Sequence, residues 1–253
     1  MVDLDLYAKP RLVETTDDCY FYHSMDIPGH GTVTGGWDLR RSPDEYLGGV
    51  SLEGRRVLEI GPASGFLTFH MERCGGSVVA VDLPAGGDWD MVPHEGLADG
   101  ASDHWQDLIR QMQNGFWFAH RKHGSAAKVY YGNANALPRT LGRFDVAVMA
   151  SVLLHVKDPL GVIEQCARLS DRIVITDLHF PELDGQPVQR LYPTREVPQW
   201  DTWWRFSPDL FVQFLEVIGF GRATVTFHEQ THVSDGVEYP MPMMTVVAAR
   251  GAL

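Results

Sequence analysis

RVLEIGPASGFLTFHMERCGGSVVAVDLP, residues 56–84, decides how the rest of the chain is read. Val57, Leu58 and Ile60 form a short apolar run that predicts a buried strand. Residues 61–65 then turn the chain into a helix carrying Phe66, Leu67, Phe69 and Met71. A second strand, residues 78–81, ends on Asp82. That acid follows Gly61 by about 20 residues, the place of the ribose-binding carboxylate in a nucleotide-binding βαβ unit. The stretch predicts alternating strands and helices, and a cofactor that carries adenosine.

The turn narrows the choice of cofactor. A dinucleotide fingerprint needs glycine at three places, so that a pyrophosphate can approach the backbone and the helix N-terminus. Here the second place is Ala63 and the third is Phe66. Glu59, two residues before Gly61, suits a bound cation better than a phosphate. S-adenosylmethionine carries an ammonium and no phosphate, and it fits. The pattern E-x-G-x-x-x-G, from Glu59 to Gly65, resembles motif I of the class I methyltransferases, with Ala63 at the usual central glycine. The resemblance implies a cofactor set of Glu59, Gly61, Ala63, Ser64, Gly65, Asp82 and Leu83, joined later by Asn133, Ala134 and Ser151.

Working outward, 253 residues suit one α/β domain with an insertion. A net charge of -12 and a pI near 5.3 supply no global basic field for a polyanion, which counts against nucleic acid as a partner. Cys19, Cys74 and Cys166 are odd in number and lack C-x-x-C spacing, so reduced thiols and a cytoplasmic setting are expected. Asp3, Asp5 and Lys9 interrupt the start, and no apolar run reaches the roughly 18 residues of a membrane span. A soluble protein is expected, and the reading leaves room for a homodimer.

Residues 1–50 include CYFYHSMDIPGHGTVTGGWDLRR, residues 19–41, dense in aromatic side chains, His and Gly. Tyr20, Tyr22, His23 and Trp37 predict a lid over the cofactor crevice, the alternative being a strap on the sheet edge. Residues 44–47 start a short helix. Residues 51–253 form the main domain, with a helical insertion at 84–126 made of a loop, 84–100, and a helix, 102–123. Strands follow at 128–131, 144–150 and 172–176, with a helix capped by Asp158-Pro159 between the last two. Residues 181–204 hold four prolines and no periodicity, and predict part of the substrate wall. Ser207-Pro208 caps a further helix, and strands at 222–228 and 243–249 are joined by a polar loop. The sum is a Rossmann-like seven-stranded methyltransferase sheet, order 3-2-1-4-5-7-6 counted from Val57, with strand seven antiparallel and helices on both faces.

Three further segments, HSMDIPGHGTVTGGWDLR (23–40), SVLLHVKDP (151–159) and TWWRFSPDLFVQFLEVIGF (202–220), resemble the family of the tRNA wobble-uridine (5-oxyacetate) methyltransferases. The enzymes naming that family use carboxy-S-adenosylmethionine, whose extra carboxylate needs cationic and phenolic partners. Where the family places a Tyr and an Arg, this chain has Leu154 and Met244, and the family's upstream lysine has no counterpart. Ordinary S-adenosylmethionine is therefore the expected cofactor.

Methyl transfer needs an acceptor held in line with the sulfonium and, for a hydroxyl, a base. His155, just past the fourth strand, is the leading base, with His23 on the lid and His179 after the fifth strand as alternatives. Tyr22, Trp37, Trp203 and Trp204 are candidates to hold the acceptor. His155, Asp177, His179 and Asp201 lack paired ligand spacing, so no metal is assigned. The expected activity is O-methylation of a small molecule such as a secondary metabolite or sugar. The alternatives are tRNA wobble-uridine methyl or carboxymethyl transfer and a non-catalytic S-adenosylmethionine-binding regulator.

Overall fold

A computed structural model describes residues 6–84, 86, 90–95, 101–197 and 199–251, the side chains of residues 101 and 102 excepted. Among them, one sheet contains β1 (Trp37–Asp38), β2 (Arg56–Ile60), β3 (Ser77–Asp82), β4 (Lys128–Tyr131), β5 (Phe144–Ala150), β6 (Ser170–Leu178), β7 (Thr224–Ser234) and β8 (Val237–Ala249). Their order is β4-β3-β2-β5-β6-β8-β7-β1. The strands from β4 to β6 in this order pair in parallel, and β8 runs antiparallel to β6. This is the expected seven-strand order with one strand added at the edge, where Trp37 and Asp38 pair with His232 and Thr231.

The parallel strands alternate their side chains between two apolar layers, so both faces must be covered. On one side Val57, Val146 and Val174 pack with α2 (Phe66–Arg73) and α3 (Ala101–His123). On the other, Leu58, Ala147 and Ile175 pack with α4 (Pro159–Leu169) and α5 (Pro208–Val217). Fully burying a side chain such as Leu58 contributes about 2 kcal/mol. The caps form as the residues dictate. The Asp158 carboxylate accepts the Gly161 N–H at 3.0 Å, and Ser207 Oγ accepts the Leu210 N–H at 3.2 Å, each before an N1 proline. A four-residue helix, α1 (Pro43–Tyr46), stands where the short helix was expected. The basic residues ending α3 have structural roles: His120 bonds the Ala127 carbonyl, and Arg121 that of Val13.

The last hairpin corrects the reading of a polar loop between the final strands. Pairing continues without a break to Ser234 opposite Val237, across a two-residue turn in which Asp235 and Gly236 have φ of 50° and 74°. An Asp-Gly pair supports that left-handed turn. Pro240 and Pro242 within β8 sit two apart. The Pro242 carbonyl accepts the His179 N–H, so both rings turn their missing donors away from β7, beyond the end of β6.

No helix among the described residues is long and apolar enough to cross a membrane.

Candidate active site

A cavity of about 400 Å3 opens above the C-terminal ends of β2, β3 and β5. Its wall collects Gly61 and Ala63 from the motif I turn, Asp82 and Leu83 after β3, Asn133 and Ala134 after β4, and Ser151 and His155 after β5. Tyr22 and His23 close it from the N-terminal segment. Asp90, Ile109 and Met112 come from the insertion.

Backbone forms much of the cofactor end. Gly61 has φ of 73°, and a Cβ there would lie 2.8 Å from Val152 Cγ2, so only glycine lets the turn pass under the loop after β5. Ala63 adopts the same left-handed region at φ 49° and keeps its methyl at the wall. Asp82 accepts the Leu83 N–H at 2.9 Å and the Gln113 amide at 3.4 Å, and burial pushes its carboxyl up to about 6. The Asn133 amide oxygen accepts the Asn135 N–H at 2.8 Å, leaving its second lone pair for a ligand.

Three members of the cofactor set stand behind the wall. Glu59 is 1% exposed and accepts a bond from Thr68 of α2; burial raises its carboxyl to about 8. Ser64 Oγ accepts the Tyr22 N–H at 3.1 Å and so fastens the N-terminal segment to the motif I turn. Gly65 starts α2 at φ 94°, with Phe69 and Phe116 filling the space of a side chain.

The acceptor end is made of side chains from distant segments. His155 Nδ1–H donates to the Asp201 carbonyl, which leaves the basic lone pair on Nε2, and burial holds the ring below the usual imidazole range. Burial lowers His23 to about 3, so its ring stays neutral and is a weak base. Tyr22 is pushed up to about 12 by burial; its backbone carbonyl accepts the Trp37 N–H at 3.2 Å, and the Trp37 ring sits against His232. Trp37 therefore acts through Tyr22. Ser151, at φ 48°, is held by its N–H to the Thr176 carbonyl and by a 2.8 Å bond between its Oγ and the Tyr46 hydroxyl.

His179 is not in the wall. It bonds Asp184 at 3.0 Å and packs on Phe227. Trp203 and Trp204, expected in the substrate wall with residues 181–204, instead donate to the carbonyls of Asp90 and Val156, and so position two residues that do line the cavity. Sequence reading missed Gln113, Ile109 and Met112. They lie on α3: Gln113 reaches the site through Asp82, and the three-residue spacing of Ile109 and Met112 is that of any core-facing helix stripe, with no sign that a cavity interrupts it.

The described wall contains Asp82 and Asp90 and neither Lys nor Arg, so it suits a cationic ligand better than a pyrophosphate. A sequence model of the family described as "Methyltransferase domain" matches residues 39–214. The chain belongs to that family. S-adenosylmethionine is its methyl donor, and the cavity fits it: a glycine turn for close approach, an acid after β3 for ribose, and no cation to repel the sulfonium. The ubiquinone biosynthesis O-methyltransferase of Methylococcus capsulatus is 28% identical over 121 residues, 48% of this chain. The chain spans 41% of that relative's length. Among solved structures, the N-terminal domain of EvdMO1, crystallised in the presence of SAH and D-fucose, superposes with a TM-score of 0.57 at 18% identity, covering 93% of each chain. Magnesium protoporphyrin IX methyltransferase from Synechocystis PCC 6803, with bound SAH, gives 0.50 at 13% identity, covering 83% of each chain. At these identities the structures share the fold.

Proposed function

We propose that this chain transfers the methyl group of S-adenosylmethionine to a hydroxyl oxygen of a small molecule, with His155 as general base and the part of the N-terminal segment that carries Tyr22 and His23 as a lid. The observation that carries this reading is the position of His155, in one cavity wall with Gly61 and Asp82 and held in the tautomer that leaves Nε2 basic. The cofactor supplies an electrophilic methyl on a sulfonium. His155 takes the hydroxyl proton at Nε2 as the carbon–oxygen bond forms and the carbon–sulfur bond breaks. Tyr22 and Ser151 orient the acceptor, and Tyr22 and His23 shield it from water.

Ordinary S-adenosylmethionine is favoured over its carboxylated form, because Met244 lies fully buried and Leu154 packs against the same apolar core. The O-methyltransferase relative and the D-fucose present with EvdMO1 support a small hydroxylated acceptor. The net charge of -12 and the lack of a cation in the wall weigh against tRNA. Replacing His155 by Ala should lower turnover by about 10²–10⁴-fold. Calorimetry with SAH should show affinity unchanged within about threefold. Activity that survives the change would remove the base assignment.

A further inference from the structure

A carboxyl oxygen with nothing to bond lies one strand across from Ser151, just behind the cavity wall. Asp177 is near the end of β6, and the pairing of Ala150 with Thr176 sets it alongside Ser151 of the wall. The side chain is 3% exposed. Its Oδ1 accepts the Leu178 N–H at 2.8 Å, while Oδ2 is buried without a partner. The neighbouring acids differ: Glu59 has Thr68, and Asp82 has Leu83 and Gln113. The ionisable groups that feel Asp177 are the phenols of Tyr22 and Tyr46, and no cation stabilises its charge, so burial raises it to about 7. His23, which does line the cavity, likewise keeps Nδ1 buried without a partner. Buried polar atoms left unmatched by the protein are places where a ligand supplies the match.

We propose that Asp177 receives a hydrogen-bond donor of the methyl acceptor. The acceptor is then a polyhydroxylated molecule, bearing a second hydroxyl besides the one that is methylated and no phosphate or carboxylate. An ionised carboxylate only accepts, and it repels anions; the wall offers no Lys or Arg to offset that repulsion. The inference rests on the methyltransferase reading above and adds to it the class of acceptor.

Asp177→Asn keeps the shape and an oxygen for the Leu178 N–H while turning the unmatched acceptor into a donor. Three measurements apply: the melting temperature at pH 8, calorimetry with SAH, and thermal shifts in saturating SAH with neutral monosaccharides and methyl glycosides against their phosphates. The variant should melt at or above the wild-type temperature and bind SAH within about threefold. Neutral sugars should shift the wild type, phosphates should not, and the variant should bind those sugars at least about tenfold more weakly. A lower melting temperature in the variant would mark Asp177 as structural. Shifts by phosphates, undiminished sugar binding in the variant, or no shift by any neutral sugar would each overturn the proposal. Failure of the wild type to bind SAH would instead remove the methyltransferase reading.

Discussion

The two ends of the cavity are built differently. At the cofactor end, Gly61, Ala63, Asp82 and Leu83 come from 23 consecutive positions of one strand–turn–helix–strand unit, and much of the fit lies in backbone conformation. At the acceptor end, Tyr22, Ser151 and His155 are aligned by Trp37, Tyr46, Thr176 and Asp201, drawn from four separate segments. The first end is fixed by local chain geometry, which a family can share across many acceptors. The second depends on tertiary contacts, and it is where the identity of the acceptor can change without touching the cofactor. If that division is right, damage to one end should leave the other measurable.

The largest effect belongs to Gly61. Valine there would need a left-handed φ of 73° and would drive its Cβ within 2.8 Å of Val152 in the loop after β5. Gly61→Val should weaken SAH binding by at least about 100-fold, close to 3 kcal/mol, in calorimetry. His155→Ala should do the reverse and spare SAH while removing turnover. A Gly61→Val protein that bound SAH normally would break the comparison, because the cofactor end would then not depend on the backbone of the turn.

The same contrast explains what could be read in advance. The βαβ unit and the caps at Asp158 and Ser207 were legible because each is a short-range pattern: an apolar run, a small residue at a turn, an oxygen before a proline; the order of seven strands followed from the resemblance of motif I to the class I methyltransferases. Ser64 was read as a cofactor residue from its place in the motif, yet its hydroxyl faces Tyr22, 42 positions earlier, a contact no local pattern encodes. Trp203 and Trp204 were read from their chemistry, but their indoles are spent on the carbonyls of Asp90 and Val156. The long hairpin was read as two short strands with a polar loop between them, although Asp235-Gly236 signalled the turn; the polar residues there pair across an exposed ribbon beyond the end of β6.

A smaller effect tests whether Glu59 serves the cofactor or the fold. Its native carboxyl is raised by burial to about 8 from an unfolded value of 4.5, so its favourable contribution is complete below pH 4.5 and is lost as pH rises through 8. Glu59→Gln removes that loss while keeping an oxygen for Thr68. In urea melts the variant should gain on the wild type between pH 5 and pH 8, by about 1 kcal/mol or more at the upper end. A gain that shrinks with pH would contradict the burial argument. Weaker SAH binding in the variant would move Glu59 into the cofactor's own contacts.

The smallest effect is at Ala63, where the motif has lost its central glycine. A left-handed φ costs an L residue about 1–2 kcal/mol, whereas glycine adopts it freely but gives up more chain entropy on folding, about 0.5–1 kcal/mol. The net of these is a gain of about 0–1.5 kcal/mol, so Ala63→Gly should raise the melting temperature by about 2 °C. The methyl of Ala63 also lines the cavity, which gives the substitution a second readout. If the cofactor end is a matter of backbone, SAH affinity should hold or improve as the turn relaxes. If affinity falls although stability rises, the methyl itself touches the ligand, and the cofactor end relies on side-chain packing as the acceptor end does.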